Sequence, residues 1–246
     1  MMRKITVPRK SRLHFEKIPV AEVVKKVPVD TVADGRNAGT GDLPAERRRR
    51  PRVRSGHFHG VQFYKDPDGL CRIVGGFVGE GLTQGGLALL IATPDHAARI
   101  DSCLRALAID VDDMKRHARL VIMDARETLQ RFMIDGMPNP GMFRQVVSSA
   151  LARVRRGREQ CTIRAYGEMV DLLWRDGLEA AAIRLETLWN QLATTDDFNL
   201  LCGYSMGNFY KVPAIEQIHD QHSHLVASNG AVTVLRDLNG VSVTSP

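Results

Sequence analysis

An α/β fold with a mostly parallel, doubly wound sheet and helices on both faces is what this sequence predicts. Two observations carry the prediction. Five short apolar runs of strand length, VQFY, LALLIAT, RLVIMDA, TIRAYG and NLLCGYS, recur between residues 57 and 212. Between them lie segments whose apolar residues repeat at helical spacing. Strands that alternate with helices in this way form parallel crossover units rather than hairpins.

Each element has a local justification. VQFY is the first strand, and Asp66-Pro67-Asp68 then supplies a helix start, with Pro67 suited to the first turn. Leu70, Ile73, Val74, Phe77 and Val78 follow at helical spacing until Gly85-Gly86 breaks the helix. LALLIAT is the second strand. Thr93 is placed to cap the next helix, with Pro94 in its first turn, and that helix runs through Leu107. RLVIMDA is the third strand, and Asp124 stands where it turns into the helix ARETLQRFM. Asp135 to Gly141, with two prolines, reads as a connection, and a helix spans about Phe143 to Arg156. TIRAYG is the fourth strand and leads directly into the helix EMVDLLWRDG. Gly177 breaks the chain before a helix from Glu179 to Leu192, and NLLCGYS is the fifth strand. Val212 to His224 reads as a helix, and VTVLRD with VSVT as a small hairpin around Asn239-Gly240.

These elements divide the chain into residues 1–56, 57–212 and 213–246. Residues 1–56 hold fifteen Lys and Arg against six Asp and Glu, while the remainder is mildly acidic, so the net charge of +6 belongs to the N-terminal segment. That segment is rich in Gly, Pro and Arg and is expected to be a disordered basic tail or linker. Its first residues lack the apolar core and cleavage site of a secretory signal. No stretch approaches the roughly 20 apolar residues needed to span a bilayer. Cys71, Cys103, Cys161 and Cys202 are far apart, which points to reduced thiols in a cytoplasmic protein and argues against a zinc site.

Several motifs are weighed by their context. GEGLTQG has glycines at nucleotide-loop spacing, but it closes a helix and precedes a strand, the reverse of a dinucleotide fingerprint, so a turn role is expected. After LALLIAT, where an ATPase would carry its phosphate loop, the chain reads TPDHAARI, with neither paired glycines nor a lysine. Trp174 and Trp189 are expected in the core. His219, His222 and His224 are read as a solvated face, because no acid or cysteine stands at matching spacing. No Ser, Cys or Lys has the context of a nucleophile. The tract Arg47, Arg48, Arg49, Arg50, Arg52 and Arg54 is an electrostatic patch suited to nucleic acid, anionic lipid or an acidic partner. It lacks the interleaved aromatics of a base-stacking surface.

Ligands of open parallel sheets collect beyond the C-terminal ends of the strands. The polar residues expected to converge there are His57, Gln62 and Tyr64 from the first strand, Thr93 and His96 from the second, Asp124 and Glu127 from the third, and Arg164, Tyr166 and Glu168 from the fourth. Glu186 and Asn190 are one helical turn apart and share a face. Structural alternatives stand beside this reading: Asp124 as a helix cap, and Arg164 paired with Glu168 or Glu186.

The set HFHGVQFY, GFVGEGLTQGGLALLIATPDH, LVIMDARETLQRFMIDGMP, IRAYGEMVDLLW, LETLWN and LLCGYSM, in this order, resembles the MEDS family, the sensory domain of methanogens, methylotrophs and the regulator DcmR. The resemblance implies a RecA/KaiC-like fold that has lost its phosphate loop. It also implies a non-enzymatic sensor of small organic molecules, such as hydrocarbon derivatives, acting in signal transduction or transcriptional regulation. No cofactor or metal is expected. With no output module in the chain, the partner is expected in trans. A homodimer stays open, since no heptad marks an interface. Two other readings are a nucleic-acid-binding regulator using the basic arm and, below it, a residual enzyme using Asp124, Glu127 and Glu168 as acid and base groups.

Overall fold

A computed structural model of the chain describes residues 18–19, 57–208 and 212–235. In chain order its strands are β1 (Ile18–Pro19), β2 (His59–Tyr64), β3 (Leu87–Ala92), β4 (Leu120–Asp124), β5 (Met133–Ile134), β6 (Met137–Pro138), β7 (Ile163–Gly167), β8 (Asn199–Ser205), β9 (His224–Val226) and β10 (Ala231–Val234). The helices are α1 (Pro67–Thr83), α2 (Pro94–Ala106), α3 (Val111–Arg116), α4 (Ala125–Gln130), α5 (Pro140–Arg155), α6 (Met169–Arg175), α7 (Glu179–Ala193) and α8 (Val212–His219). The main sheet has the order β1-β10-β9-β2-β8-β7-β3-β4. From β9 to β4 every pairing is parallel, and β10 and β1 add antiparallel strands at the far edge.

The sheet is covered on both faces. Strand β3 shows how: Leu87, Leu89 and Ile91 point into a core with α4, α5, α6 and α7, whereas Ala88, Leu90 and Ala92 point into a core with α1 and α2. A parallel sheet buried in this way needs near-continuous apolar strands, and every residue of β3 is buried and apolar. The larger core centres on Trp189, whose ring meets Phe143 edge-on at 5.2 Å and Phe198 at 5.8 Å.

The helix starts follow from their caps. Asp66 accepts the amides of Asp68 and Gly69, Asp124 accepts Glu127 N–H at 2.8 Å, and Asn139 accepts Met142 N–H at 3.0 Å. The last of these, with Pro140 in the first turn, starts α5 a turn ahead of Phe143. Asp110 caps the short helix α3, which the sequence reading passed over because it is too brief to show a period. The connection from Asp135 contains a hairpin of β5 and β6. Its turn residues Asp135 and Gly136 have φ of 47° and 75°, the Asp-Gly signature of a type I′ turn.

Two expectations near the C-terminus are corrected. Helix α8 ends at His219 rather than His224, and His224 opens strand β9, which joins the sheet beside β2. Residues 231–234 do form a strand, but its hairpin partner is β9, across a turn at Ala227 to Gly230. Asn239-Gly240 and the tract from Arg47 to Arg54 lie outside the described residues.

Because Trp189 fills the centre of the larger core, Trp189→Ala should destabilise the fold by about 3–5 kcal/mol. Urea unfolding should show a lower midpoint with an unchanged slope.

Candidate functional site

The topology singles out one place on the sheet. After β3 the chain crosses through α2, on the α1 face, to reach β4; after β7 it crosses through α6 and α7, on the opposite face, to reach β8. Adjacent strands β3 and β7 therefore send their connections in opposite directions, which opens a crevice beyond their C-terminal ends.

Glu168, the residue after β7, occupies that crevice and is fully buried. One carboxylate oxygen accepts the amide of Thr93 at the end of β3, and the other is hydrogen-bonded to Nδ1 of His96 in the first turn of α2. Tyr166 donates to the same carboxylate at 3.3 Å. Tyr64, at the end of β2, stands edge-on to the His96 ring at 5.9 Å and donates to Asp171 at 3.3 Å. Asp171 also accepts the amide of Ser205 at 2.9 Å and lies 3.3 Å from Arg175. The ends of four neighbouring strands, β2, β8, β7 and β3, are thus tied into one polar rim.

The electrostatics of the rim follow from this geometry. Donating a hydrogen bond to Glu168 raises the pKa of His96 against the effect of burial. Burial disfavours the Glu168 anion, but His96 and the Thr93 amide outweigh it and hold its pKa below the ordinary value. Asp171 moves the other way, because burial exceeds the help from Ser205 and Arg175. Burial and the neighbouring Asp171 raise the Tyr64 phenol, which stays neutral. Perturbed groups of this kind gathered in one crevice mark a candidate site.

The rim unites Tyr64, Thr93, His96, Tyr166 and Glu168, and adds Asp171, Arg175 and the Ser205 amide, which the sequence reading missed. The available signal was the spacing of Glu168, Asp171 and Arg175 along one helix face. Gln62 is buried on the same side of β2 as Tyr64, and its Oε1 has no hydrogen-bond partner. The remaining expected residues lie elsewhere. His57 precedes β2, at the opposite end of the sheet, edge-on to Phe198 at 5.3 Å. Arg164 is also at that end, the second residue of β7. Its guanidinium binds the Phe77 carbonyl and Glu80 Oε2 (2.9 Å) and stacks over the Phe77 ring. Arg164 is ion-paired with Glu80, and with neither Glu168 nor Glu186. A Cβ at Gly81 would fall 2.8 Å from Arg164 Cδ, and one at Gly86 would fall 2.7 Å from the Gly81 carbonyl oxygen. The glycines of GEGLTQGG thus make room for an arginine and a tight turn.

Asp124 stands at the same sheet edge as the rim, at the end of β4 opposite Ala92, and its carboxylate caps α4 by accepting Glu127 N–H. Asp124 and Glu127 line a groove of about 370 Å³ between β4, α4 and α5, together with Arg131, Ser149 and Arg153.

Glu186 and Asn190 do face one partner, His59, the first residue of β2. Asn190 Oδ1 is 2.8 Å from His59 Nδ1, and Glu186 Oε2 is 3.3 Å from Nε2. Cys202, Tyr204 and His222 complete this second cluster on the other face of the sheet, in which all but the half-buried Asn190 are buried. The expectation of a solvated histidine face therefore fails: His222 lies in the turn after α8, with a Cys and a Glu supplied by other elements. Burial and His59 push its pKa down to about 3. Alternation along β2 and β8, which puts His59, Cys202 and Tyr204 on one face, is the signal that could have found it.

The His96–Glu168 pair sets a pH dependence. The raised His96 pKa contributes stability below the ordinary value of 6.5 and loses it as pH rises through the folded value. The lowered Glu168 pKa contributes above 4.5 and loses it as pH falls through the folded value. The pair should therefore stabilise most between these values, with Asp95 supporting and Arg175 opposing the His96 charge. An NMR titration should place the His96 midpoint above that of a free imidazole, and Glu168→Gln should lower it.

No curated protein sequence matches this chain. Among solved structures, an uncharacterized Pyrococcus horikoshii protein in complex with an unknown peptide is similar with a TM-score of 0.53 at 13% identity, over 75% of this chain and 86% of that one. A KaiC-like protein from Pyrococcus horikoshii OT3 matches with a TM-score of 0.48 at 9% identity, over 70% and 72%. The model of the methanogen/methylotroph DcmR sensory domain matches residues 58–223, spanning both polar clusters, and the chain belongs to this family, MEDS.

Proposed function

We propose that this chain is a non-catalytic cytoplasmic sensor that binds a small organic molecule at the C-terminal rim of its sheet. It would report the ligand state to a signalling or transcription partner in trans. The observation that carries the reading is the buried Glu168 carboxylate, held by Thr93 and His96 at the switch point between β3 and β7. A buried anion bonded across two strands gives a ligand with a polar group a place to exchange hydrogen bonds. The aromatic rings of Tyr64 and Tyr166 beside it suit an apolar remainder, as in a hydrocarbon derivative. Membership in a family described as sensory supports the same reading. The non-catalytic part rests on the turn after β3, Thr93-Pro94-Asp95-His96, which has no glycine pair or lysine to hold phosphates. Among the described residues no helix is long and apolar enough to cross a membrane.

A second reading is favoured by the groove at Asp124 and Glu127, whose volume falls within the range of small-molecule pockets. One experiment separates the two. The full chain is screened by thermal shift against C1 and short-chain organic compounds, with ATP and GTP alongside. A ligand at a hundredfold excess over its Kd should stabilise the fold by about 2.7 kcal/mol. The rim reading expects the response to be lost in Glu168→Gln and His96→Gln and kept in Glu127→Ala. Loss in Glu127→Ala alone moves the ligand to the groove. A magnesium-dependent response to ATP overturns the sensor reading, and silence across the panel overturns its small-molecule part.

A further inference from the structure

We propose that His59, Glu186, Cys202 and His222 form a closed, four-ligand site for a divalent transition metal, best matched by zinc. The site is separate from the rim, on the opposite face of the sheet, and does not depend on the sensor reading.

The argument begins with geometry. His59 Nε2 is 3.3 Å from Glu186 Oε2 and 3.5 Å from Cys202 Sγ, and Sγ is 3.6 Å from the same Oε2. Zinc bonds of about 2.0–2.2 Å to N and O and 2.3 Å to S, set tetrahedrally, place such ligand atoms about 3.3–3.6 Å apart. Three of the four donors therefore already stand at the edge lengths of a zinc tetrahedron. The fourth, His222 Nε2, lies 3.4 Å from Glu186 Oε1, and one ligand atom from each residue falls within 4.8 Å of all the others.

Hydrogen bonding next fixes which way the lone pairs point. Asn190 Nδ2 donates to the Gln221 carbonyl at 2.9 Å, so its Oδ1 must be the acceptor toward His59. His59 Nδ1 therefore carries a proton, so in the neutral ring, the form that binds a metal, Nε2 presents a lone pair to the cluster. His222 Nδ1 lies 2.7 Å from the Ile218 carbonyl, which can only accept, so His222 Nε2 is bare as well. That nitrogen is fully buried and has no hydrogen-bond partner. Tyr204 donates to Glu186 Oε1 at 2.7 Å and steadies the carboxylate. Two imidazole lone pairs, a carboxylate and a thiol thus converge in a dry interior, where unsatisfied acceptors are costly. A cation at their centre satisfies all of them, and the outer contacts from Asn190, Ile218 and Tyr204 are those that orient metal ligands. One sulfur, two imidazoles and one carboxylate make a borderline-soft set suited to zinc rather than to calcium or magnesium. Filling all four positions with protein makes the site structural. Binding would release the Cys202 thiol proton to solvent as the metal–sulfur bond forms.

Such a metal would fasten the C-terminal segment to the sheet, because His222 follows α8 while the other ligands belong to β2, α7 and β8. The test uses the full chain without an affinity tag. Zinc content after purification should be one per chain. Cobalt(II) added to the stripped protein should give the visible bands of four-coordinate cobalt and a near-ultraviolet thiolate charge-transfer band. Cys202→Ser should abolish the charge-transfer band, and Asn190→Ala, which leaves every ligand in place, should weaken affinity about 10–100-fold. Both wild-type spectra are read on folded protein, so the outcome does not hang on a buried variant folding. Zinc well below one per chain together with cobalt spectra lacking the thiolate band would overturn the site, as would spectra unchanged by Cys202→Ser.

Discussion

The parallel sheet is covered on both faces, and this one constraint shapes the rest of the molecule. A strand buried on both sides has no solvent for its side chains, so every polar residue it carries must find a partner on a neighbouring element. Strand β3 avoids the problem by being wholly apolar. The other strands do not. Arg164 reaches Glu80 on α1, Tyr166 reaches Glu168, Tyr204 reaches Glu186, and His59 reaches both Glu186 and Asn190 on α7. Gln62 Oε1 and His222 Nε2 are left without a hydrogen bond, and each lies on the side of one of the two polar clusters.

The three buried ionic groups differ in what they leave available. Arg164 and Glu80 saturate one another, with a backbone carbonyl and the Phe77 ring taking up the remaining guanidinium surface. Removing Glu80 would strand the buried Arg164 charge, which makes the pair a fixture of the fold. The Glu186 cluster brings His59, Cys202 and His222 around a carboxylate, and all four residues are buried. The Glu168 group is balanced in charge, sits at a strand-end crevice, and borders partly exposed Arg175. This last arrangement gathers its perturbed groups at the C-terminal ends of the strands, where ligands of open parallel sheets collect.

Much of this fold was legible because its strands and helices announce themselves locally. The five main strands are short apolar runs, and Asp66, Asp124, Pro67 and Pro94 mark helix starts by chemistry that acts within a single turn. What failed was whatever depended on three-dimensional neighbours. Arg164 and Glu168 are four residues apart on adjoining elements, yet they stand at opposite ends of a strand, and only the course of α1 places Glu80 beside the arginine. His222 looked solvated because no acid or cysteine stood at matching spacing, although the turn after α8 brings it against residues from β2, α7 and β8. Asp171 carries no mark in the sequence beyond its spacing to Glu168 and Arg175; its buried carboxylate accepts the amide of Ser205, far along the chain.

The two clusters share strands β2 and β8, and this limits how one could influence the other. His59 opens β2 and Tyr64 closes it, while Cys202 and Ser205 stand along β8. These strands are laced in continuous register from His59 opposite Leu200 to Tyr64 opposite Ser205. Sliding one past the other by a residue would turn every buried side chain to the wrong face, so the strands act as a rigid frame. The movable parts are the helices laid over it, since packed helices shift by small rigid displacements at lower cost. Helix α6 begins at Glu168, carries Asp171 and Arg175 along the rim, and ends at Asp176, which pairs with Arg126 on α4 at 3.0 Å. It then leads through Gly177, at φ of 76°, into α7, which carries Glu186. Glu168 thus joins the start of α6 to the start of α2, through the Thr93 amide and His96. Helix α6 itself touches α4 beside the edge strand β4 and leads into the helix that carries Glu186.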